Sequence, residues 1–306
     1  MRYALLLLLL LFCSAPAAGQ GPWAFRAPLD ARRTGTFADP RLDESSGVAA
    51  SRRYPGTLWT HNDGPEPLIF ATDTTGAALG TVRLRAEVDD WEDMALGPCG
   101  RDTCLYLADT GDNRERRRSV RIHRLPEPDP ARARAGATAR PEALQVRYPD
   151  GPHDVEAMWV DPNGDVQLVT KGRRNPIRQF RVPASAWTTG RAVAQPMAIV
   201  PIEASRRLDR FVTGAGISPD GRLVAIRTYG EIYFFERGRN GALTLPAVPL
   251  ACNLGGIDIQ GEGVSWIDAE RLVLTSERAI RPSGTVAVVR CSLPPAPSPA
   301  AAARNR

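Results

Sequence analysis

"VEAMWVDPNGDVQLVTKG", residues 155–172, decides how this chain folds. An apolar run, "VEAMWV", meets a turn signature, "DPNGD", and a second apolar run ends in polar residues. That is a β-hairpin, two short strands joined by a Gly/Pro/Asp turn. The same shape returns four times: "ESSGVAASRRYPGTLWTHND" from Glu44, "WEDMALGPCGRDTCLYLADTGDN" from Trp91, "TGAGISPDGRLVAIRTYG" from Thr213 and "GEGVSWIDAERLVLTSER" from Gly261. The starts lie about 47 to 64 residues apart. Two more strand candidates follow each of the first four hairpins: "LIFATD" and "GTVRLR", "SVRIHRL" and "ALQVRY", "IRQFRV" and "MAIVPI", "IYFFER" and "LPAVPL".

Four-stranded units at this period predict an all-β fold, a β-propeller. The fifth unit offers only three strands, the last being "TVAVVRC". The N-terminal stretch 23–40, "WAFRAPLDARRTGTFADP", is left over to supply the fourth and close the ring, which removes an exposed edge. Five blades fit the count. Six stay open if the long insertions of units two and three hide another blade, and a pair of β-sandwiches is the competing architecture.

The ends of the chain set its context. Residues 1–19 carry one Arg, an unbroken apolar run and then small residues, the pattern of a cleaved signal peptide. Residues 20–292 form the propeller domain, and 293–306, "PPAPSPAAAARNR" with its leading residues, read as a disordered Pro/Ala-rich tail. No other run is long enough for a transmembrane anchor, so the mature chain is expected to be secreted or periplasmic and a monomer. Beyond the leader the cysteines number four, and an even count in an exported chain predicts disulfides. The short loop "CGRDTC" pairs Cys99 with Cys104 and leaves Cys252 with Cys291. The net charge is +5, yet Lys171 is the only lysine and the arginines are mostly dispersed. Their one dense run, "RERRR" at 114–118, is read as a solvated loop. Nucleic acid is a poor partner for an exported protein.

In an antiparallel blade the start of the first strand and the end of the second share one end. Glu44, Glu92, Glu156 and Glu262 are therefore expected to rim the central channel on one face, with the fourth unit lacking an acid. The same face collects His61, Asn62 and Asp63; Asp109, Asp112 and Asn113; Lys171; Arg227 and Tyr229; Glu277 and Arg278. Three readings compete for this funnel. The glutamates accept main-chain N–H groups and clasp the blades. Asn62, Asp63, Asp109, Asp112 and Asn113, with Glu92, hold Ca²⁺ through hard oxygen ligands. Or His61 acts as a general base, with Lys171 or Arg227 stabilising an anion. His123 and His153 are read as an outer strand residue and a loop residue, so no zinc site is expected. No nucleophile elbow, phosphate loop or dinucleotide fingerprint occurs. Trp59, Trp91, Trp159 and Trp266 are read as wedges between blades.

The segments "ESSGVAASRRYPGTLWTHND", "DWEDMA", "LYLADTGDN" with "RIHRLPEP", "DVEAMWVDPNGDVQLVTK" and "GEGVSW" resemble a group of bacterial exported β-propeller proteins related to the phytase-like (esterase-like) propellers. The resemblance runs from about residue 40 to 290. It implies the propeller fold and an association with calcium and with phosphoester or ester chemistry. The chain departs from a β-propeller phytase in its single lysine and in the missing acid of unit four. The expected function is binding of a small polar or anionic ligand, or a protein partner, at the acidic face, with Ca²⁺. A calcium-assisted phosphoesterase or esterase is the alternative, and whether the protein is an enzyme stays open.

Overall fold

The computed structural model describes residues 23, 25–27, 29–134, 136–257, 260–279 and 283–292. The expected signal peptide and the Pro/Ala-rich tail lie outside the described residues. The rest forms five sheets, each antiparallel through its four main strands, around a central channel, a five-bladed β-propeller. From the channel outwards, blade one is Ser45–Ala50, Thr57–Asn62, Leu68–Asp73 and Ala78–Leu84. Blade two is Asp93–Cys99, Asp102–Asp109, Val120–Pro126 and Glu142–Arg147. Blade three is Val155–Val160, Val166–Thr170, Arg178–Val182 and Gln195–Ile199. Blade four is Val212–Ile217, Leu223–Thr228, Glu231–Arg237 and Leu250–Asn253. Blade five takes Gly261–Trp266, Arg271–Ser276 and Thr285–Cys291 from the end of the chain. Its outer strand is Leu29–Thr36, from the beginning.

The insertions of units two and three hide no sixth blade. They do something the sequence reading did not foresee. Ala137–Ala139, inside the long connection of blade two, runs back and pairs in parallel with the outer strand of blade one. Arg191–Val193, inside the connection of blade three, does the same to blade two. Phe25–Ala27 does it to blade four. Each added strand covers an edge that would otherwise be open. The outer strand of blade four also begins later than "LPAVPL" suggests, at Leu250.

The apolar residues divide into five clusters, each shared by two neighbouring blades. Trp59 and Ile69 of blade one meet Trp91, Leu105 and Leu107 of blade two. Tyr106, Ile122 and Leu144 of blade two meet Met158, Leu168 and Phe180 of blade three. On the third strand of blade four, Tyr233 and Phe235 face blade three, while Ile232 and Phe234 face blade five. Val48, Leu58 and Phe70 meet Val273 and Val286 to complete the circle. Successive side chains leave a strand on opposite faces, and here both faces are buried. That is why "IYFF" and "MWV" are apolar without alternation.

Closure has a covalent element. Cys252, on the outer strand of blade four, is bonded to Cys291 at the end of the third strand of blade five, with Cα atoms 6.2 Å apart. Cys99 is bonded to Cys104 across the hairpin of blade two. Cys252→Ser with Cys291→Ser is expected to lower stability by about 2–4 kcal/mol, because the unfolded chain regains the freedom of the loop. Chemical denaturation checks this, with the Cys99→Ser, Cys104→Ser pair as the smaller-loop control.

Candidate functional site

The first strands of blades one, three, four and five carry the same local device. Register breaks fall between Ser45 and Val48, Val155 and Ala157, Val212 and Gly214, and Gly261 and Val264. Such bulges re-aim a side chain out of the regular pleat. The re-aimed position is Ser46, Glu156, Thr213 and Glu262, and in blade two Glu92 precedes the strand at the equivalent place. Glu44 is therefore not the member contributed by blade one; it lies two residues earlier and is exposed. In those four blades the next position, Gly47, Ala157, Gly214 and Gly263, is small because the inner strands nearly touch. A Cβ on Gly263 would lie 2.7 Å from the Ser46 carbonyl oxygen.

That next position in blade two is Asp93, and it changes the clasp reading. Asp93 is fully buried. Its Oδ1 accepts from the Met94 N–H at 2.8 Å. Its Oδ2 accepts from the N–H groups of Met158 at 2.8 Å and Ala215 at 3.0 Å. One carboxylate thus ties the inner strands of blades two, three and four. Burial pushes its pKa well above the usual carboxylate range, and the three amides oppose that. Among the described residues the glutamates make no comparable set of main-chain bonds.

The glutamates instead form an acidic mouth. Oxygens of Glu92, Asp154 and Glu156, all buried, lie within 4.8 Å of one another. The Lys171 ammonium donates to Glu156 Oε1 at 2.6 Å. Asp90 adjoins the same cluster, since a Cβ on Gly111 would meet Glu92 Oε1 at 2.0 Å and Asp90 Oδ2 at 2.5 Å. Gly111 leaves a cradle that both carboxylates occupy. Opposite, Tyr229 donates its hydroxyl to Glu262 Oε1 at 2.6 Å, and Gln260 donates to Glu277 Oε2 at 2.8 Å.

So many acids around one lysine hold their protons tightly. Burial, then the charge of neighbouring carboxylates, pushes Asp90 up to about 6 and Glu277 up to about 8. Burial raises Glu156 to about 8 against the pull of Lys171. Glu92 stands well above its usual value, from burial and the nearby Glu156. Burial also raises Asp63 and Glu262. Tyr229 is raised by burial and by Glu262. Lys171 is raised, because the charges of Glu156, Glu92 and Asp154 outweigh its burial.

The oxygens assigned to a cation by sequence are mostly engaged elsewhere. Asp109 accepts from the main-chain N–H groups of Asp89 and Asp90 and pairs with Arg117 at 2.9 Å. Asp112 Oδ2 accepts from the N–H groups of Arg116 and Arg117, each at 2.6 Å. Asn62 accepts from Glu44 N–H and donates to the Arg41 carbonyl. Asn113 accepts from Arg173 at 2.6 Å. Of the five, Asp63 alone stays at the mouth, sharing a hydrogen bond with the Asp90 carboxyl. Asp154 was overlooked. The signal for it was "DWE" at 90–92 repeated as "DVE" at 154–156, since residues i and i+2 of a strand share a face.

The proposed catalytic group does not assemble as a base with an acid partner. His61 is fully buried, its Nδ1 lies 2.9 Å from the Asn62 carbonyl oxygen, and its ring meets the edge of Trp91. Burial drives its pKa down to about 4, so it is neutral. Arg227 is fully buried and donates to the main-chain carbonyls of Gly263 at 2.7 Å and Thr275 at 2.9 Å. Arg278 turns outward to Asp43 at 3.3 Å.

No protein-family model and no curated protein matches this sequence. Among solved structures, the chain is similar to a gluconolactonase from Xanthomonas campestris, with 15% identity and a TM-score of 0.45, over 91% of this chain and 99% of that one. Among the described residues no helix is long and apolar enough to cross a membrane. The all-β ring of five blades, its two disulfides and its buried acidic mouth are the established features of this protein.

Proposed function

We propose that the protein is an exported binding propeller whose mouth takes up a hard divalent cation, Ca²⁺ first, and through it a polar or anionic ligand. The observation that carries this reading is the meeting of Glu92, Asp154 and Glu156 within 4.8 Å, buried, with Lys171 answering only part of their charge. The donor set is oxygen throughout, which favours Ca²⁺ or Mg²⁺ over softer metals. Asp90 is placed to join them. A bound cation supplies the missing positive charge and an open coordination position for an oxygen of the ligand. The expected leader and the two disulfides suit an exported, calcium-containing environment.

A calcium-assisted hydrolase of the phytase-like kind that uses His61 as its general base is the alternative. The neutral, buried His61 lends that alternative no support.

Calorimetric titration of the chelator-treated mature chain with Ca²⁺, beside its melting temperature, tests the reading. Saturable binding with a rise in melting temperature is expected, since a ligand that binds only the folded state stabilises it. Neither binding nor a shift with Ca²⁺, Mg²⁺ or Mn²⁺ would overturn it. Gly111→Ala offers a narrower check. Its methyl would displace Glu92 and Asp90 from the cradle, so cation affinity should fall by about 10- to 100-fold while the chelated protein keeps its circular dichroism spectrum.

A further inference from the structure

Beside the acidic mouth lies a polar cleft of about 240 Å³ between two loops on the same face. One loop, 110–119, follows the second strand of blade two and contains the arginine run; the other, 171–177, follows the second strand of blade three. Arg114, Arg116, Arg173 and Arg174 line the cleft, and Asp154 and Lys171 lie where it joins the mouth. We propose that this cleft binds a small oxyanion carrying two or more negative charges. The proposal rests on the mouth reading to the extent that it names the chemistry of the ligand at that face.

The arginine loop is built and not merely solvated. The buried Asp112 carboxylate pins it by accepting the Arg116 and Arg117 N–H groups. Glu115 takes a left-handed φ of 50°, uncommon for a residue other than glycine. Across the cleft, Arg173 donates to Asn113 at 2.6 Å, and Asn175 donates to Glu115 at 3.4 Å. Arg117 folds inward onto Asp109 and the Gly111 carbonyl. Arg114, Arg116 and Arg174 have no ion-pair partner among the described residues, and all three are exposed. Four guanidinium groups and Lys171 outnumber the two carboxylates of the lining, Glu115 and Asp154, and an anion offsets the excess positive charge. Guanidinium groups present paired donors that match carboxylate and phosphoryl oxygens.

The two sources of such an anion are separated by two probes. Chelator-treated mature protein is titrated in a non-coordinating buffer with inorganic phosphate and, separately, with citrate. Saturable binding of at least one is expected. In the Arg116→Gln, Arg174→Gln variant that affinity should fall by roughly tenfold per guanidinium removed. Phosphate alone would assign a phosphoryl ligand, citrate alone a polycarboxylate, and both a site that reads charge. Binding of neither anion, or equal binding by the variant, overturns the proposal. Ca²⁺ titration of the same variant keeps the two ideas apart. Unchanged Ca²⁺ affinity with lost anion binding supports the cleft, and arginine-dependent anion binding in a protein that ignores Ca²⁺ would sink the mouth reading alone.

Discussion

Asp93→Ala is expected to be the most damaging single change in the ring, lowering stability by about 4 kcal/mol, near the upper limit for point substitutions. Three main-chain N–H groups from three blades converge on this one carboxylate. Alanine leaves all three buried without an acceptor, and each costs about 1–3 kcal/mol when orphaned. Asp93→Asn should be nearly as harmful, because its amide group turns a donor towards a donor. The melting temperature should drop by roughly 10 °C for a domain of this size. Glu92→Gln is the contrast. Glu92 holds its proton well above the usual range, so a neutral, isosteric amide should leave the chelated protein as stable as before while removing a cation ligand. A melting temperature that falls with Glu92→Gln and holds with Asp93→Ala would assign the clasp to the glutamate.

Cation binding should strengthen steeply between pH 6 and pH 8 and release about one to two protons per ion at pH 7. Glu156, pushed up to about 8, Glu92, raised well above its usual value, and Asp90, at about 6, carry protons that a cation must displace. The sign for stability follows from linkage. These folded pKa values exceed the unfolded carboxylate value of about 4.3. The cation-free folded state therefore binds more protons than the unfolded state between pH 4 and 8, and its stability is lost as pH rises through that window. Ca²⁺ should reverse the trend, with its largest stabilisation near pH 8. Calorimetry in two buffers of different ionisation enthalpy counts the protons, and melting curves with chelator or Ca²⁺ follow the stability. Affinity that does not change from pH 6 to pH 8 would mean that the mouth is ionised without a metal and that other groups bind it.

The hairpins at Glu44, Trp91, Val155, Thr213 and Gly261 were legible because burial of both blade faces leaves uninterrupted apolar runs between turn residues. Closure by the N-terminal strand was legible by subtraction, since the fifth unit lacked one strand. The disulfides followed from spacing and parity. Part of the mouth was legible too, because recurrence at strand starts places Glu92, Glu156 and Glu262 on one face. The exchanged strands Ala137–Ala139 and Arg191–Val193 were hidden in Ala- and Arg-rich connections, whose pairing depends on the neighbouring blade and not on their own propensity.

Repetition and hydrophobic pattern, which are local properties, determined the ring and the face that carries the acids; the choice of five blades over six came from the sheets themselves. Which acid performs which task was decided only by tertiary structure. Asp93 and Glu92 are adjacent in one short stretch, yet one meets three amides and the other meets Asp154 and Glu156. Likewise "RERRR" contains one arginine folded onto Asp109 and two left at a cleft. A carboxylate or guanidinium is defined by the charges and donors within a few ångströms of it, and in this ring those come from blades far apart in the chain.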